Sequence, residues 1–356
     1  MRLQISVAYW PWFSYEEQVA LAVVADESGL DAVWVSEAWG QDAVSILAIL
    51  ADRTERVGLG SGLFQIPARQ PTATAMAAAT IDSISGGRFH LGLGVSGPQV
   101  SEGWYGVPFT RPLRRTREYV EIVRKALDRE TVAYDGQEWQ LPTPNGIGLG
   151  KPLKLMIRPG QERIPIYLGS IGPKALEQTG EIADGWLPAF FNPYDPDVLW
   201  NPIDAGLAKA GRTRADLDVL PGVPFAVEDT VEAAHDAVRP WVTFYLGGMG
   251  AKNKNFYVDL CERYGFGEAA NEVQDRFLAG DRMGAARAVT PDILEIAAIA
   301  CTPDQLVGRL RPFADAGVDG LIAVPFGSDR PRAVRLLAEA QAELAGPAAA
   351  NAGASA

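Results

Sequence analysis

Short apolar runs alternate with longer helical stretches along most of the 356-residue chain. The first run, LQISVAY at 3–9, has the apolar character of a buried strand. Ser14, Glu17 and Gly29 then supply a capping box and a stop for the helix that follows. The same pattern recurs about eight times, which predicts a parallel sheet with helices between its strands.

Eight such units favour one α/β domain over residues 1–345 with the (β/α)8 TIM-barrel fold; a doubly wound open sheet is the alternative. A barrel of this type needs about 250 residues. The additional length predicts insertions at about 128–163 and 247–290, the second of them helical and rich in aromatic residues. The tail at 346–356, GPAAANAGASA, is of low complexity and is expected to be disordered.

The segment GLGVSG at 92–97 satisfies the G-x-G-x-x-G pattern of dinucleotide-binding folds. Such a fold places the motif after its first strand and has an acidic residue about 20 positions later, at the end of the next strand. Here the motif follows the fourth strand, and Glu118 and Glu121 fall within a helical pattern. The pattern therefore does not predict a dinucleotide-binding fold.

Alternation along two neighbouring strands instead places glycines together on one face of each. Either these glycines clear space for a flat ligand at the mouth of the barrel, or they relieve crowding inside it. His90 shares such a face near the start of its strand, and we expect it to be a core residue. The glycines concerned are Gly58, Gly60, Gly62, Gly92 and Gly94.

Composition excludes several classes of function. The chain has 44 Asp and Glu against 32 Lys and Arg, a net charge of −12, so nucleic acid is not an expected partner. No apolar run approaches the ~20 residues of a membrane span, and the N-terminus lacks a signal-peptide pattern, so we expect a cytoplasmic protein with no membrane partner. Two cysteines and two histidines in no metal-ligand spacing predict no metal site.

Four segments together resemble the bacterial luciferase-like superfamily, most closely its branch that uses the deazaflavin coenzyme F420. That branch includes methylenetetrahydromethanopterin reductases and F420-dependent glucose-6-phosphate dehydrogenases. The segments are WVSEAW (34–39), GSGLFQIPARQPTATAMAAATID (60–82), ISGGRFHLGLGVSG (84–97) and IPIYLGSIGPKALEQTGEIADGWLP (165–188).

The resemblance implies a (β/α)8 barrel and an F420-dependent oxidoreductase that transfers hydride between the coenzyme and a small organic substrate. It also implies a homodimer. An FMN-dependent two-component monooxygenase, supplied with reduced cofactor by a separate reductase, is the first alternative. A non-catalytic flavin-binding relative is the second.

Matching positions imply a cofactor site at the ends of four strands. A non-proline cis peptide that supports the ring would fall at Gly62-Leu63, and a phosphate-binding loop would fall at Gly169, Ser170, Ile171 and Gly172. Glu37 follows the second strand and is the candidate proton donor or hydrogen-bond partner of the cofactor ring; a structural carboxylate that accepts from loop N–H groups is the alternative. The remaining expected cofactor contacts are Ser36, Gly94, Val95, Ser96 and Gly97.

The chain departs from the family at the second strand. Many F420-dependent members have a histidine directly after the acidic residue there, whereas this chain has Ala38 after Glu37. Clear matches to the sugar-phosphate lysines of the glucose-6-phosphate enzymes are also missing, so glucose 6-phosphate is a poor candidate substrate.

Aromatic residues near the expected mouth predict a pocket for an apolar or planar molecule. The residues expected to line it are Trp10, Trp39, Phe64, Trp104 and Trp186. Arginines of RPLRRTR at 111–117 are candidates for binding the acidic tail of the coenzyme, and a solvated helix face with Glu118 and Glu121 as local partners is the alternative.

Overall fold

The computed structural model describes residues 1–252 and 254–345. The predicted disordered tail lies outside these residues. Among them the strands are β1 (Arg2–Val7), β2 (Ala32–Val35), β3 (Gly58–Ser61), β4 (Phe64–Gln65), β5 (Phe89–Gly94), β6 (Thr131–Val132), β7 (Tyr134–Asp135), β8 (Gln140–Leu141), β9 (Leu153–Lys154), β10 (Ile166–Leu168), β11 (Gly185–Trp186), β12 (Asp218–Val219), β13 (Gly222–Val227), β14 (Ile299–Cys301) and β15 (Gly320–Pro325).

The helices follow the strands in the order that the sequence predicts. In the described ranges they are α1 (Tyr15–Ser28), α2 (Ala43–Arg53), α3 (Pro71–Ile84), α4 (Pro98–Gly103), α5 (Pro112–Leu127), α6 (Pro173–Ile182), α7 (Asp197–Lys209), α8 (Val231–Gly248), α9 (Phe256–Arg263), α10 (Gly267–Leu278), α11 (Arg282–Ala288), α12 (Pro291–Ala297), α13 (Leu306–Asp315) and α14 (Arg330–Ala345). No helix in the described part of the chain has the length and apolarity needed to cross a bilayer.

A curled parallel sheet forms the centre of this α/β fold. Its strand order is β12-β11-β10-β5-β3-β2-β1-β15-β13-β14, and β4 pairs with β5. From β1 to β12 the neighbours follow chain order, without the reversal that defines a doubly wound sheet. The doubly wound strand order of the alternative is therefore not found among the described residues.

The segment 218–227, which contains β12 and β13, forms hydrogen bonds on both of its sides. On one side, the Leu220 and Gly222 N–H groups donate to the Trp186 and Pro188 carbonyls, at 3.0 and 2.8 Å. On the other side, Ile322 N–H donates to the Pro221 carbonyl at 2.8 Å. The chain thus links the β11 and β15 sides of the sheet through one continuous segment.

Both expected insertions carry secondary structure of their own. Residues 128–163 contain two short antiparallel pairs, β6 with β9 and β7 with β8. The 247–290 region contains α9, α10 and α11, which contact α8 or one another. The second insertion therefore lies against the helix that follows β13.

The first helix illustrates how local chemistry sets the element ends. The Ser14 side chain accepts from Glu17 N–H at 3.2 Å while the Glu17 carboxylate accepts from Ser14 N–H at 2.8 Å, a complete capping box. Gly29 ends the helix at φ 77°, a conformation that favours glycine. Most buried apolar side chains form one large cluster, and Ala32, Trp34, Tyr167, Leu220 and Ile322 form a second, smaller cluster.

Candidate functional site

A cavity of about 370 Å³ lies where β2, β3, β5 and β10 end. Three of its walls come from the segments that directly follow these strands, including Glu37, Leu63, Val95 and Ile171. The fourth wall comes from α8 and α9, at the start of the second insertion. Carboxyl ends of parallel strands are the usual location of ligand sites in α/β folds.

Leu63 forms part of the cavity floor. The Gly62-Leu63 peptide bond is cis, as the resemblance implies. A Cβ atom at Gly94 would lie 2.7 Å from Leu63 Cδ1, and a Cβ at Gly169 would come closer still. Bare backbone on β5 and after β10 therefore makes room for the Leu63 side chain, whose remaining surface faces the cavity.

Deeper glycines serve the same purpose for other protein atoms. A Cβ at Gly60 would overlap the Trp34 ring, and one at Gly92 would overlap the Ser61 carbonyl oxygen. At Gly58 it would come within 3.1 Å of His90 Nε2. Of the two explanations for the strand glycines, relief of crowding inside the sheet therefore applies here, because protein atoms occupy the space.

His90, expected in the core, is half-buried and has an unusual feature. The ring lies 5.9 Å from both the Trp34 and Tyr167 rings, and no described residue is a hydrogen-bond partner for its enclosed Nδ1. Burial lowers the His90 pKa, partly opposed by the charge of Asp218. The neutral imidazole is therefore the form that the folded chain holds.

The loop from Gly169 to Gly172 presents backbone donors to the cavity. No described residue accepts a hydrogen bond from the N–H groups of Ser170, Ile171 or Gly172. Gly172 is the N-cap of α6, so the positive end of the helix dipole lies beside these groups. Unpaired N–H groups at a helix N-terminus suit a phosphate or another anion.

Side chains hold this loop by its carbonyl groups. The indole N–H of Trp186 donates to the Ser170 carbonyl at 3.1 Å, and the Arg263 guanidinium donates to the Ile171 carbonyl at 2.8 Å. The Ser170 hydroxyl lies 2.8 Å from that of Thr179 on α6. These contacts fix the loop and leave its N–H groups available.

The Glu37 carboxylate is fixed by four donors. Oε1 accepts from Ala43 N–H at 3.2 Å and from Arg69 Nη2 at 2.5 Å. Oε2 accepts from Gln65 N–H at 3.1 Å and from Arg69 Nη1 at 2.7 Å. These hydrogen bonds occupy both carboxylate oxygens of the enclosed side chain. The geometry favours the structural alternative for Glu37 over the expected role as proton donor.

Arg69 links this carboxylate to a second one. Its Nη2 also donates to Asp42 at 2.6 Å. Burial lowers the pKa of Arg69, but the hydrogen bonds and charges of Glu37 and Asp42 outweigh it and raise the pKa above its ordinary value. The guanidinium therefore stays charged and ties the segments after β2 and β4 together.

Only one of the five expected pocket aromatics, Trp39, lines the cavity among the described residues. Trp10 and Trp104 lie on the surface, 77% and 65% exposed. Phe64 and Trp186 are fully buried: the Arg69 guanidinium covers the Phe64 ring at 4.8 Å, and Trp186 packs 6.0 Å from Trp200. The other four side chains point into the core or outward and do not line this cavity.

Ser36 also lies away from the cavity lining, whereas the predicted segments 94–97 and 169–172 line it. The Ser36 hydroxyl is 3.3 Å from that of Ser6, between β1 and β2. Ser96 adopts φ 60°, which turns the chain after β5 at the edge of the cavity. The direct contact expected for Ser36 is therefore not found in this geometry.

Arginines of the 111–117 segment pair with local carboxylates. Arg111 and Arg115 contact the buried carboxylate of Glu138 at 2.9 and 3.6 Å, and Arg117 pairs with Glu181. Carboxylates therefore surround these arginines, but they are Glu138 and Glu181 rather than the expected Glu118 and Glu121, which accept from the first insertion instead.

Several lining residues were missed by sequence reasoning. Tyr245, Met249, Lys254 and Tyr257 come from the end of α8 and the start of the second insertion, and Phe109 comes from the segment before α5. The high aromatic content of the second insertion was the feature of the sequence that could have indicated a role in the cavity. It could not indicate which residues face a cavity formed by strands far away in sequence.

Known proteins share this architecture. A sequence profile of the luciferase-like monooxygenase family matches residues 3–320. A protein of Mycobacterium tuberculosis named as a coenzyme F420-dependent oxidoreductase is 39% identical over 337 residues, 93% of this chain and 97% of its own. The 5,10-methylenetetrahydromethanopterin reductase of Archaeoglobus fulgidus is 34% identical over 94% of this chain and 97% of its own.

A solved structure agrees with these relatives. The coenzyme F420-dependent tetrahydromethanopterin reductase from Methanopyrus kandleri superposes with a TM-score of 0.82 at 27% identity, over 95% of this chain and 98% of that one. The matches extend across nearly the full chain and include the segments that form the cavity. The chain belongs to the luciferase-like monooxygenase family.

Proposed function

We propose that this chain is an F420-dependent oxidoreductase that transfers hydride between the deazaflavin coenzyme and a small organic substrate. The observation that carries the proposal is one cavity with an apolar floor at Leu63 and unpaired backbone donors at 170–172. Relatives named for F420 dependence support it.

These residues fit the two chemical parts of such a coenzyme. The exposed side of Leu63 and the segment 94–97 offer an apolar surface for a planar ring, while the Ser170, Ile171 and Gly172 N–H groups would hold the phosphate. Bound F420 supplies a ring carbon that accepts or donates hydride. The protein's contribution is to orient ring and substrate and to exclude water.

Glu37 and Arg69 would act as positioning residues in this function. Glu37 accepts from Gln65 N–H, and Gln65 belongs to the segment directly after Leu63 and Phe64. The ion pair therefore anchors the chain on the far side of the cavity floor. We assign proton delivery to other groups for this reason.

We further propose that the parallel sheet closes as an eight-stranded barrel. Hydrogen bonds on both sides of 218–227 support closure, with β12 and β13 serving together as one barrel strand between β11 and β15. In a closed barrel the four strand ends around the cavity share one mouth. Hydrogen-exchange protection of the Leu220, Gly222 and Ile322 amides is expected, and rapid exchange of these three would contradict closure.

Titration of the purified protein with F420 and, separately, with FMN tests the proposed function. Tight binding of F420 and weaker binding of FMN is expected; the reverse order would overturn the proposal. Oxygen consumption with each reduced cofactor then distinguishes hydride transfer from the monooxygenase alternative. Binding without turnover of any substrate in a broad panel would support the non-catalytic alternative.

We also propose a homodimer. Apolar side chains of the first insertion lie exposed on its surface, including Ile147, Leu149 and Met156. Exposed apolar patches on otherwise polar surfaces are typical of protein contacts. Light scattering is expected to give twice the 38.2 kDa chain mass. Substitution of Ile147 and Met156 by Ser is expected to lower the measured mass toward that of a single chain.

A further inference from the structure

Two tyrosine rings, Tyr245 at the end of α8 and Tyr257 at the start of α9, line the cavity. Their centroids lie 4.8 Å apart with the ring planes at 76°. Trp241 packs 4.9 Å from the Tyr245 ring, and Phe190 packs 5.4 Å from the Tyr257 ring. These contacts fix the orientation of both rings.

Neither hydroxyl has a hydrogen-bond partner among the described residues, and neither is among the fully enclosed polar atoms that lack one. Both residues therefore line the cavity without a described partner for their hydroxyls. Most other tyrosines of the chain differ, because their hydroxyls bond to protein groups: Tyr105, Tyr119, Tyr134, Tyr167, Tyr194 and Tyr264.

Both hydroxyls keep their protons at neutral pH. Burial raises the pKa of Tyr245, with a further contribution from the neighbouring Tyr257. Burial likewise raises the pKa of Tyr257, with a contribution from Tyr9. Glu37, the acidic residue that lines the cavity, already accepts four hydrogen bonds. The two phenol hydroxyls are therefore available to donate hydrogen bonds to a ligand.

We propose that Tyr245 and Tyr257 donate hydrogen bonds to one oxygen of the substrate, so that the substrate class is a carbonyl compound or its alcohol. The inference rests on the proposed function, since it places the substrate in the same cavity as the coenzyme. An aromatic wall with a pair of donors suits a ketone whose remaining atoms are apolar.

The implied step is the reduction of a carbonyl group to an alcohol. Hydride from the reduced coenzyme forms a C–H bond at the carbonyl carbon, and the C=O π electrons move to oxygen. That oxygen takes the proton of one tyrosine hydroxyl, while the other stabilises the developing charge. The coenzyme is oxidised, the carbonyl is reduced to an alcohol, and solvent returns a proton to the tyrosinate.

The test compares two ligands of matched shape, acetophenone and α-methylstyrene, which differ by exchange of C=O for C=CH2. Protein loaded with oxidised F420 has no hydride to transfer, so calorimetry reports binding alone. The same titrations into coenzyme-free protein test the hydroxyls independently of the coenzyme. Variants are Tyr245→Phe, Tyr257→Phe and the double variant, each of which removes only hydroxyl oxygens. Tyr194→Phe, an exposed tyrosine outside the cavity, is the matched control.

Wild-type protein is expected to bind the ketone more tightly than the hydrocarbon. Each variant should lose about two- to tenfold in ketone affinity, the range of a net hydrogen bond, with hydrocarbon affinity unchanged. Absence of a ketone preference in wild type, or its persistence in the double variant, would overturn the inference. Failure of wild type to bind F420, with the ketone preference intact, would instead contradict the proposed function.

Turnover gives a second readout. With reduced F420 and acetophenone, the kcat of each variant should fall while the Kd for F420 stays within twofold of wild type. A kcat equal to wild type in the double variant would overturn the assigned proton transfer.

Discussion

Leu63 lies in the space that a side chain at Gly94 would require: a Cβ there would be 2.7 Å from Leu63 Cδ1. The conflict involves the end of a flexible side chain rather than backbone. Gly94→Ala should therefore cost little stability but displace Leu63 and lower coenzyme affinity. Titration with F420 and thermal unfolding measure the two effects. Gly308→Ala is the control, because open space surrounds that position on α13 and Gly308 does not line the cavity.

Gly92 should respond differently, although it lies two residues away on the same strand. A Cβ there overlaps the Ser61 carbonyl, which is backbone of β3 and cannot rotate away. Gly92→Ala is expected to destabilise the fold by about 1–3 kcal/mol, as overpacking does. Denaturant unfolding gives the value. Equal stability losses at Gly92 and Gly94 would contradict this distinction.

The Glu37–Arg69 pair separates a positioning role from a catalytic one. If Glu37 acts through the pair, Glu37→Gln and Arg69→Met should both reduce stability, by about 1–3 kcal/mol, and reduce turnover to a similar extent. A proton donor would behave otherwise, since general acid catalysis contributes about 10²- to 10⁴-fold. A loss of that size in Glu37→Gln alone would restore the donor role. Arg69→Lys should recover part of the function.

Acid stability should depend on His90. Its pKa in the fold lies below the ordinary value near 6.5 because of burial. As the pH falls through 6.5, His90 becomes protonated in the unfolded chain but stays neutral in the folded chain. The free energy of unfolding therefore decreases. His90→Gln should flatten the fall in unfolding free energy between pH 7.5 and 5.5. An unchanged slope would show that His90 charges freely in the fold.

Arg263 should affect the phosphate end of the ligand and not the ring. The Arg263→Met variant removes the donor that holds the Ile171 carbonyl and a positive charge beside the loop. F420 affinity is expected to fall several-fold, with a weaker salt dependence. A deazaflavin that lacks the phosphate should bind to the Arg263→Met variant with the same affinity as to the wild-type protein. Arg276→Met, an exposed arginine paired with Glu272 on the same helix, is the control.

Local features of the fold could be predicted from the sequence. The capping box at Ser14, the stop at Gly29 and the alternation of strands with helices depend on neighbouring residues. The loop at 169–172 was placed by the resemblance, and it lies between a strand and a helix as that family pattern implies. The resemblance added the cis bond at Gly62-Leu63, which no pattern of apolar residues would indicate.

Side-chain direction near the strand ends could not be predicted in the same way. Strict alternation fails between β3 and β4, where the strand is interrupted at Gly62 and Leu63, so Phe64 turns into the core. Trp186 was expected in the pocket, yet its indole lies beneath a loop carbonyl. The wall from α8 and α9 depends on contacts between distant segments, which composition does not encode.

The two sides of the cavity come from separate parts of the chain. Strand ends supply the floor and the anion loop, whereas the end of α8 supplies Tyr245 and the second insertion supplies Tyr257. Changes of length or sequence in this part of the chain can therefore alter substrate specificity while the affinity for the coenzyme is retained. For enzyme engineering, 245–257 is the stretch to randomise, and the strand ends are the stretch to leave intact.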